Sequence, residues 1–201
     1  DYYDVININK DEFVFCMGDI SGKGVAAALV MANLQSYLNA SPPLSSESER
    51  ELVDRLNDKI LSITNGEKFI TLFIARYNIL TRELIYLNAG HNPPFLVNQG
   101  EVTRLDKGCA LLGILEYIPK VQLGKIKLEP NTLIFTYTDG LSEMENQKGI
   151  PFGDEGLNDF ASKNSHLSSE NFVKQLYNEL TIYNEQNGFN DDVSVLVGKF
   201  Y

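Results

Sequence analysis

Three aspartates stand where apolar strands give way to loops. Asp19 lies within Gly18-Asp19-Ile20-Ser21-Gly22-Lys23-Gly24, after the run Phe13-Val14-Phe15-Cys16-Met17. Asp139 lies within Tyr137-Thr138-Asp139-Gly140, after Leu133-Ile134-Phe135-Thr136, and Asp191 within Asn190-Asp191-Asp192-Val193-Ser194, ahead of the last apolar run. A single aspartate at such an edge commonly forms a turn or caps a helix. Three of them in one chain suggest more, because sheet edges can converge. Carboxylates brought together repel unless cations neutralise them, and few basic residues flank these motifs. Mg²⁺ and Mn²⁺, hard ions that favour oxygen ligands, are the natural counter-charges.

The glycines around Asp19 superficially suggest a phosphate-binding P-loop, but the spacing fails. Counting from Gly18, the sixth residue is Lys23 instead of glycine, and the residue after that lysine is Gly24 instead of the serine or threonine that holds Mg²⁺. A better role for these glycines is to let the backbone turn tightly and a ligand come close.

Seventeen basic and 27 acidic side chains give a formal charge of −10, which repels phosphate backbones and argues against a nucleic-acid partner. Cys16 and Cys109 are too few for a disulfide scaffold or a Cys-rich metal site, and their apolar surroundings read as buried free thiols. No apolar run approaches the about 18 residues that span a bilayer, so membrane insertion by this chain is not expected and a reducing cytoplasm fits.

The elements that must carry these residues follow from periodicity. Val5 to Asn9 and Glu12 to Asp19 read as strands, and Val25 to Leu38 as a helix apolar on most faces and therefore well buried. A second helix is expected from near Ser46, with Glu49 completing a capping box and Leu52, Val53, Leu56, Ile60 and Ile63 forming its apolar stripe. The loop between these helices is placed at Ser41 to Ser46. Hairpins are expected from Phe69 to Tyr77 with Leu84 to Ala89, and from Phe95 to Asn98 with Val102 to Leu105 about Gln99-Gly100. Strands at 121–128 and 132–137, helices at 153–162 and 169–187, and a strand at 192–200 complete the order. Short connections favour antiparallel pairing and an α+β fold in a single domain, residues 1–201.

Four motifs in order carry a resemblance: residues 18–24 as written above, Asn88-Ala89-Gly90-His91-Asn92-Pro93-Pro94, Tyr137-Thr138-Asp139-Gly140-Leu141-Ser142-Glu143, and Asn190 to Ser194. Leu112-Gly113 and Gly149-Ile150-Pro151-Phe152-Gly153 support it. With these the chain resembles the bacterial sporulation-phosphatase (SpoIIE-like) branch of the metal-dependent PPM, or type 2C, serine/threonine phosphatases. Asp1-Tyr2-Tyr3-Asp4 is similar to that branch's opening Gly-Gly-Asp motif without its glycines, as in a domain cut from a longer regulatory protein.

The resemblance implies a four-layer α/β/β/α sandwich, an antiparallel β-sandwich core flanked by helix pairs. It implies two divalent ions, Mn²⁺ or Mg²⁺, held by Asp19, Asp139 and Asp191, with the Ile20 carbonyl as a further ligand and Asp1 holding waters; Asp192 is a neighbour of the set. A water activated by two such ions, about 3.5–4 Å apart, would hydrolyse phosphoserine or phosphothreonine without a phosphoenzyme. The implied substrate is a phosphorylated STAS-type anti-anti-sigma factor, and the implied regulator a sensor or dimerisation region upstream. Two departures stand out: Ser21 occupies the place of a histidine general acid in animal relatives, and no arginine precedes Asp19 to bind phosphate. His91 reads either as a proton donor or as a residue holding the turn before Pro93, and His166 as a surface residue. A catalytically weak module that keeps the fold and binds a partner is the alternative.

Overall fold

In the computed structural model, residues 1–40, 48–185 and 191–201 are described. The elements run β1 (Tyr2–Asn7), β2 (Glu12–Ile20), α1 (Val25–Ala40), α2 (Glu49–Thr64), β3 (Ile70–Asn78), β4 (Glu83–Ala89), β5 (Phe95–Asn98), β6 (Glu101–Arg104), β7 (Gly108–Cys109), β8 (Gly124–Lys127), β9 (Thr132–Tyr137), α3 (Asp139–Ser142), α4 (Gly153–Asn164), α5 (Ser169–Tyr183) and β10 (Val195–Phe200). They form two compact units, Asp1–His91 with Asp106–Lys127, and Asn92–Leu105 with Leu128–Tyr201. The α+β class expected from element order is what the structure has.

The first unit holds a sheet ordered β1-β2-β3-β4, with β7 and β8 both pairing β4. Its ladders are antiparallel except at β7, where two residues run parallel to Asn88 and Ala89. Helices α1 and α2 close one face of this sheet. Ala27, Val30, Leu34 and Leu38 on α1 and Leu52, Val53, Leu56 and Ile60 on α2 recur at helical spacing and bury against Val14, Cys16, Leu72, Ile74 and Leu87. Helix α1 departs from expectation: Val25 and Leu29 are 77% and 61% exposed. A helix apolar on most faces carries little record of which face is covered, and here the 27-30-34-38 stripe is. The α2 cap also lies elsewhere than expected. Ser48 is the N-cap and Glu51 its reciprocal partner, with Ser48 N–H donating to Glu51 Oε2 over 2.8 Å. Ser46 and the loop from Ser41 lie outside the described residues, as do 186–190, and α5 ends at Tyr183, earlier than the sequence reading had it.

The second unit holds an antiparallel sheet ordered β10-β9-β5-β6. Phe95, Val97, Leu133, Phe135 and Tyr137 alternate onto one face, which α4 and α5 cover with Leu157, Phe160, Phe172, Leu176 and Leu180. Phe135 stacks on Phe95 at 5.6 Å and meets Phe172 edge-on at 5.4 Å, the offset and T-shaped geometries aromatic pairs favour.

Two polar clasps in the first unit set its loops. Asn57, 2% exposed, donates to the Leu115 carbonyl over 2.7 Å and accepts from the Gly113 amide over 2.9 Å. Replacing it by Leu strands both backbone groups, and we expect a loss of about 2–4 kcal/mol, read by thermal unfolding. At the far end of the sheet, Glu12 accepts from Asn78 over 2.9 Å, Arg76 over 2.6 Å and Asn9 over 3.0 Å. These bonds hold its carboxyl at about 2, below its ordinary 4.5. The contribution is therefore present above pH 4.5 and lost as pH falls toward 2. Glu12→Gln should be less stable than the parent at neutral pH and flatten the acid limb of its unfolding curve.

Candidate active site

Within the first unit, register decides which residues meet. Tyr2 pairs with Gly18 in the β1–β2 ladder, so Asp1 precedes Tyr2 beside the position Asp19 takes next in β2. Asp1 and Asp19 are both half-buried. Across the other ladder Asp19 pairs with Thr71, and Gly18 with Leu72. A Cβ on Gly18 would stand 2.9 Å from the Thr71 carbonyl oxygen, so glycine permits this close approach. Thr71 Oγ1 hydrogen-bonds His91 Nδ1 at 3.0 Å, and the His91 amide donates to Asn88 Oδ1 over 2.8 Å. His91 is 5% exposed just past the end of β4, with its amide and ring Nδ1 both engaged.

The chain leaves β2 through Ser21. Its amide donates to the Phe69 carbonyl at 3.0 Å, its Oγ accepts from the Phe69 amide at 2.9 Å, and its carbonyl accepts from Lys68 Nζ at 3.0 Å. Ile20 faces Ile70, but the Ile70 amide donates to Leu112 at 2.9 Å, leaving the Ile20 carbonyl without that ladder donor. Sequence reasoning missed Lys68. It belongs to no motif and sits 47 residues from Ser21, so only the β2–β3 register could have found it.

Within the second unit, β9 and β10 pair Tyr137 with Val195. The Thr138 amide donates to the Ser194 carbonyl at 3.1 Å, and the Ser194 amide to Thr138 Oγ1 at 2.9 Å. Asp139, which opens α3, and Asp191 and Asp192, which lead into β10, are thereby brought to one end of the strand pair. All three are exposed. A side chain on Gly140 would run into the Asp192 carbonyl, so the two segments touch. A further group holds β9 just before Asp139: the Tyr137 hydroxyl donates to Asp154 Oδ1 at 2.7 Å and accepts from Arg104 at 3.1 Å, while Arg104 pairs with Asp154 at 3.3 Å and lies over the Phe95 ring at 4.0 Å. Burial, then the bond to Asp154, pushes the Tyr137 phenol up, so it stays a neutral donor.

Among the described residues no three His, Cys, Asp or Glu side chains are grouped so as to hold a metal ion. Each unit instead supplies a carboxylate pair at a sheet end, Asp1 with Asp19 and Asp139 with Asp191, and the first adds the Ile20 carbonyl. Within each unit these oxygen donors are of the kind a hard divalent cation takes. Thiol chemistry does not fit. Burial pushes Cys16 up to about 12 and Cys109 to about 11, so both remain protonated at neutral pH. Cys109 is only half-buried, against the expectation that both thiols are buried. No described helix is long and apolar enough to cross a membrane.

Set against known structures, the chain has the fold of the PP2C phosphatase domains. It covers 100% of itself and 80% of the SiaA PP2C domain of Pseudomonas aeruginosa at a TM-score of 0.83 and 16% identity. Against the RsbU and RsbW domains of a Mycobacterium tuberculosis protein it covers 98% of itself and 55% of that chain, at a TM-score of 0.70 and 26% identity. Within that class it belongs to the Stage II sporulation protein E (SpoIIE) family, whose sequence pattern matches residues 9–201. Phosphoserine phosphatase RsbU of Bacillus subtilis is 28% identical over 183 residues, 90% of this chain and 53% of RsbU. Protein IcfG of Synechocystis is 24% identical over 87% of this chain and 32% of its own length. The chain thus spans about half or less of the curated relatives it matches.

Gly140→Ala should push the Asp192 carbonyl away. We expect a loss of about 1–3 kcal/mol by thermal unfolding, the usual cost of overpacking a tight contact.

Proposed function

We propose that this chain is a metal-dependent protein serine/threonine phosphatase acting on a phosphorylated signalling protein, with a STAS-type anti-anti-sigma factor as substrate. The observation that carries this reading is the register that brings Asp139 and Asp191 to one end of β9–β10, in a chain whose near-full length matches the SpoIIE family. The name of RsbU, a phosphoserine phosphatase, supports the reaction. RsbX, another structural neighbour, was crystallised with magnesium, which supports the choice of ion.

In this reading Asp19, Asp139 and Asp191 bind two divalent ions, Mn²⁺ or Mg²⁺, with the Ile20 carbonyl as a fourth protein donor. The ions supply Lewis acidity, a water of lowered pKa, and charge neutralisation for the phosphoryl oxygens. Asp1, beside Asp19 in the ladder, orients water at the same end of the sheet, and Asp192 backs Asp191. The carboxylates position and neutralise, and no side chain forms a bond to phosphorus. Ser21, whose amide, carbonyl and Oγ lone pair are engaged with Lys68 and Phe69, stands where animal relatives have a proton donor. A cytoplasmic location and an upstream sensor or dimerisation region belong to the same reading. Helices α1 and α2, which connect the Asp19 loop to β3, are where such a region could act.

Phosphate release from a phosphorylated STAS-type protein, with and without Mn²⁺, tests the proposal. The expected result is Mn²⁺-dependent release that falls at least about tenfold, or 1.4 kcal/mol of barrier, in Asp139→Asn. Release indifferent to both Mn²⁺ and the substitution removes the site assignment. No release, with Mn²⁺ still bound, turns the reading toward a binding module.

A further inference from the structure

We propose that Ser21 and Lys68 are positioning residues that fix the Asp19–Ile20 segment for its metal. The inference rests on the reading of Asp19 and Ile20 as ligands. Every hydrogen-bonding group of Ser21 except its hydroxyl proton is committed to the 68–69 pair: amide to Phe69 carbonyl, Oγ from Phe69 amide, carbonyl from Lys68 Nζ. The residue that follows the Ile20 carbonyl is thereby held from three directions, and the peptide between Ile20 and Ser21 has one orientation available to it. That orientation keeps the Ile20 carbonyl out of the β3 ladder, since Ile70 is already engaged with Leu112.

The next residue points the same way. Gly22 has φ +89°, a left-handed conformation, and a Cβ there would stand 2.6 Å from Lys68 Nζ. The ammonium occupies the space a side chain would fill, over the turn that directs the chain from Asp19 toward α1. Groups that hold a metal ligand in place from outside the ion's own contacts characteristically set its orientation, and their loss costs about 10–100-fold in metal affinity.

Electrostatics gives the test its sign. Lys68 places a positive charge near a proposed cation site, so by Coulomb's law alone its removal would tighten metal binding. A positioning role predicts the reverse. Mn²⁺ is titrated calorimetrically into the full chain, Asp19→Asn, Ser21→Ala, Lys68→Met and Lys68→Arg, with thermal unfolding of each followed alongside. We expect Asp19→Asn to lose the tight site. Ser21→Ala and Lys68→Met should each weaken it about 10–100-fold while remaining folded, and Lys68→Arg, which keeps the donor, should stay close to the parent. Ser21→Ala and Lys68→Met binding as tightly as the parent or tighter, whatever their melting temperatures, overturns the positioning role and leaves the metal assignment standing. If instead the parent and Asp19→Asn bind Mn²⁺ alike, the metal assignment falls and this inference falls with it.

Discussion

Antiparallel register is the constraint on which everything functional here depends. In a strand the side chains alternate faces with a period of two, so a slip of one residue between β9 and β10 would turn each core residue to the wrong side. The core does not allow it: Leu133, Phe135 and Tyr137 face the α4–α5 layer, and Ile134 and Thr136 between them are also buried. Because hydrophobic burial fixes the pairing of Tyr137 with Val195, it also fixes the loops just past that pair, where Asp139 and Asp191 stand. The acidic residues are placed by the pairing of the apolar strands that lead to them. The same holds for Asp1 and Asp19, aligned by the Tyr2–Gly18 pairing and by a β2 that is buried at Val14, Cys16 and Ile20.

Around these ladders the loops are held by polar groups that use more than one bond each. Asn57 serves an amide and a carbonyl of the 113–115 turn, Arg104 joins a phenol, a carboxylate and a ring face, and Ser21 uses both main-chain groups and its oxygen. A buried side chain with two partners orients a loop in a way one bond cannot, because a single bond leaves rotation about itself. Helix α2 thereby reaches the turn at Gly113, and the adjacent Leu112 pairs with Ile70 next to the Lys68-Phe69 pair that secures Ser21. Local order passes from a helix to a candidate ligand through side-chain and backbone hydrogen bonds.

Much of this was legible in the sequence, and the remainder was hidden for identifiable reasons. The strand pattern from 132 to 137 and the Gln99-Gly100 turn carry strong local signals and appear where expected. The aspartate motifs were found because each joins an apolar run to a turn. Helix α1 was misjudged because its sequence is apolar on most faces, and only tertiary contacts choose the stripe at 27, 30, 34 and 38. The α2 start was ambiguous because Ser46 with Glu49 and Ser48 with Glu51 have the same capping-box spacing, and the structure uses the second. Strand β7 is two residues long, too short to have a period. Lys68 and Arg104 were missed because their roles come from residues distant in sequence, and nothing in their own neighbourhood announces them.

The interleaving of the two units has a consequence for biosynthesis. The first unit needs residues 106–127 to cover the β4 edge, and the second needs β10 to pair with β9. During vectorial synthesis β9 therefore emerges with its outer edge open, and stays so while about 60 further residues are translated at roughly 5–20 per second. For some seconds a strand with an apolar centre, Leu133-Ile134-Phe135, presents unpaired amides and carbonyls of the kind that recruit foreign strands. The nascent chain is most exposed to misassembly in that interval, which ends only when the segment carrying Asp191 arrives.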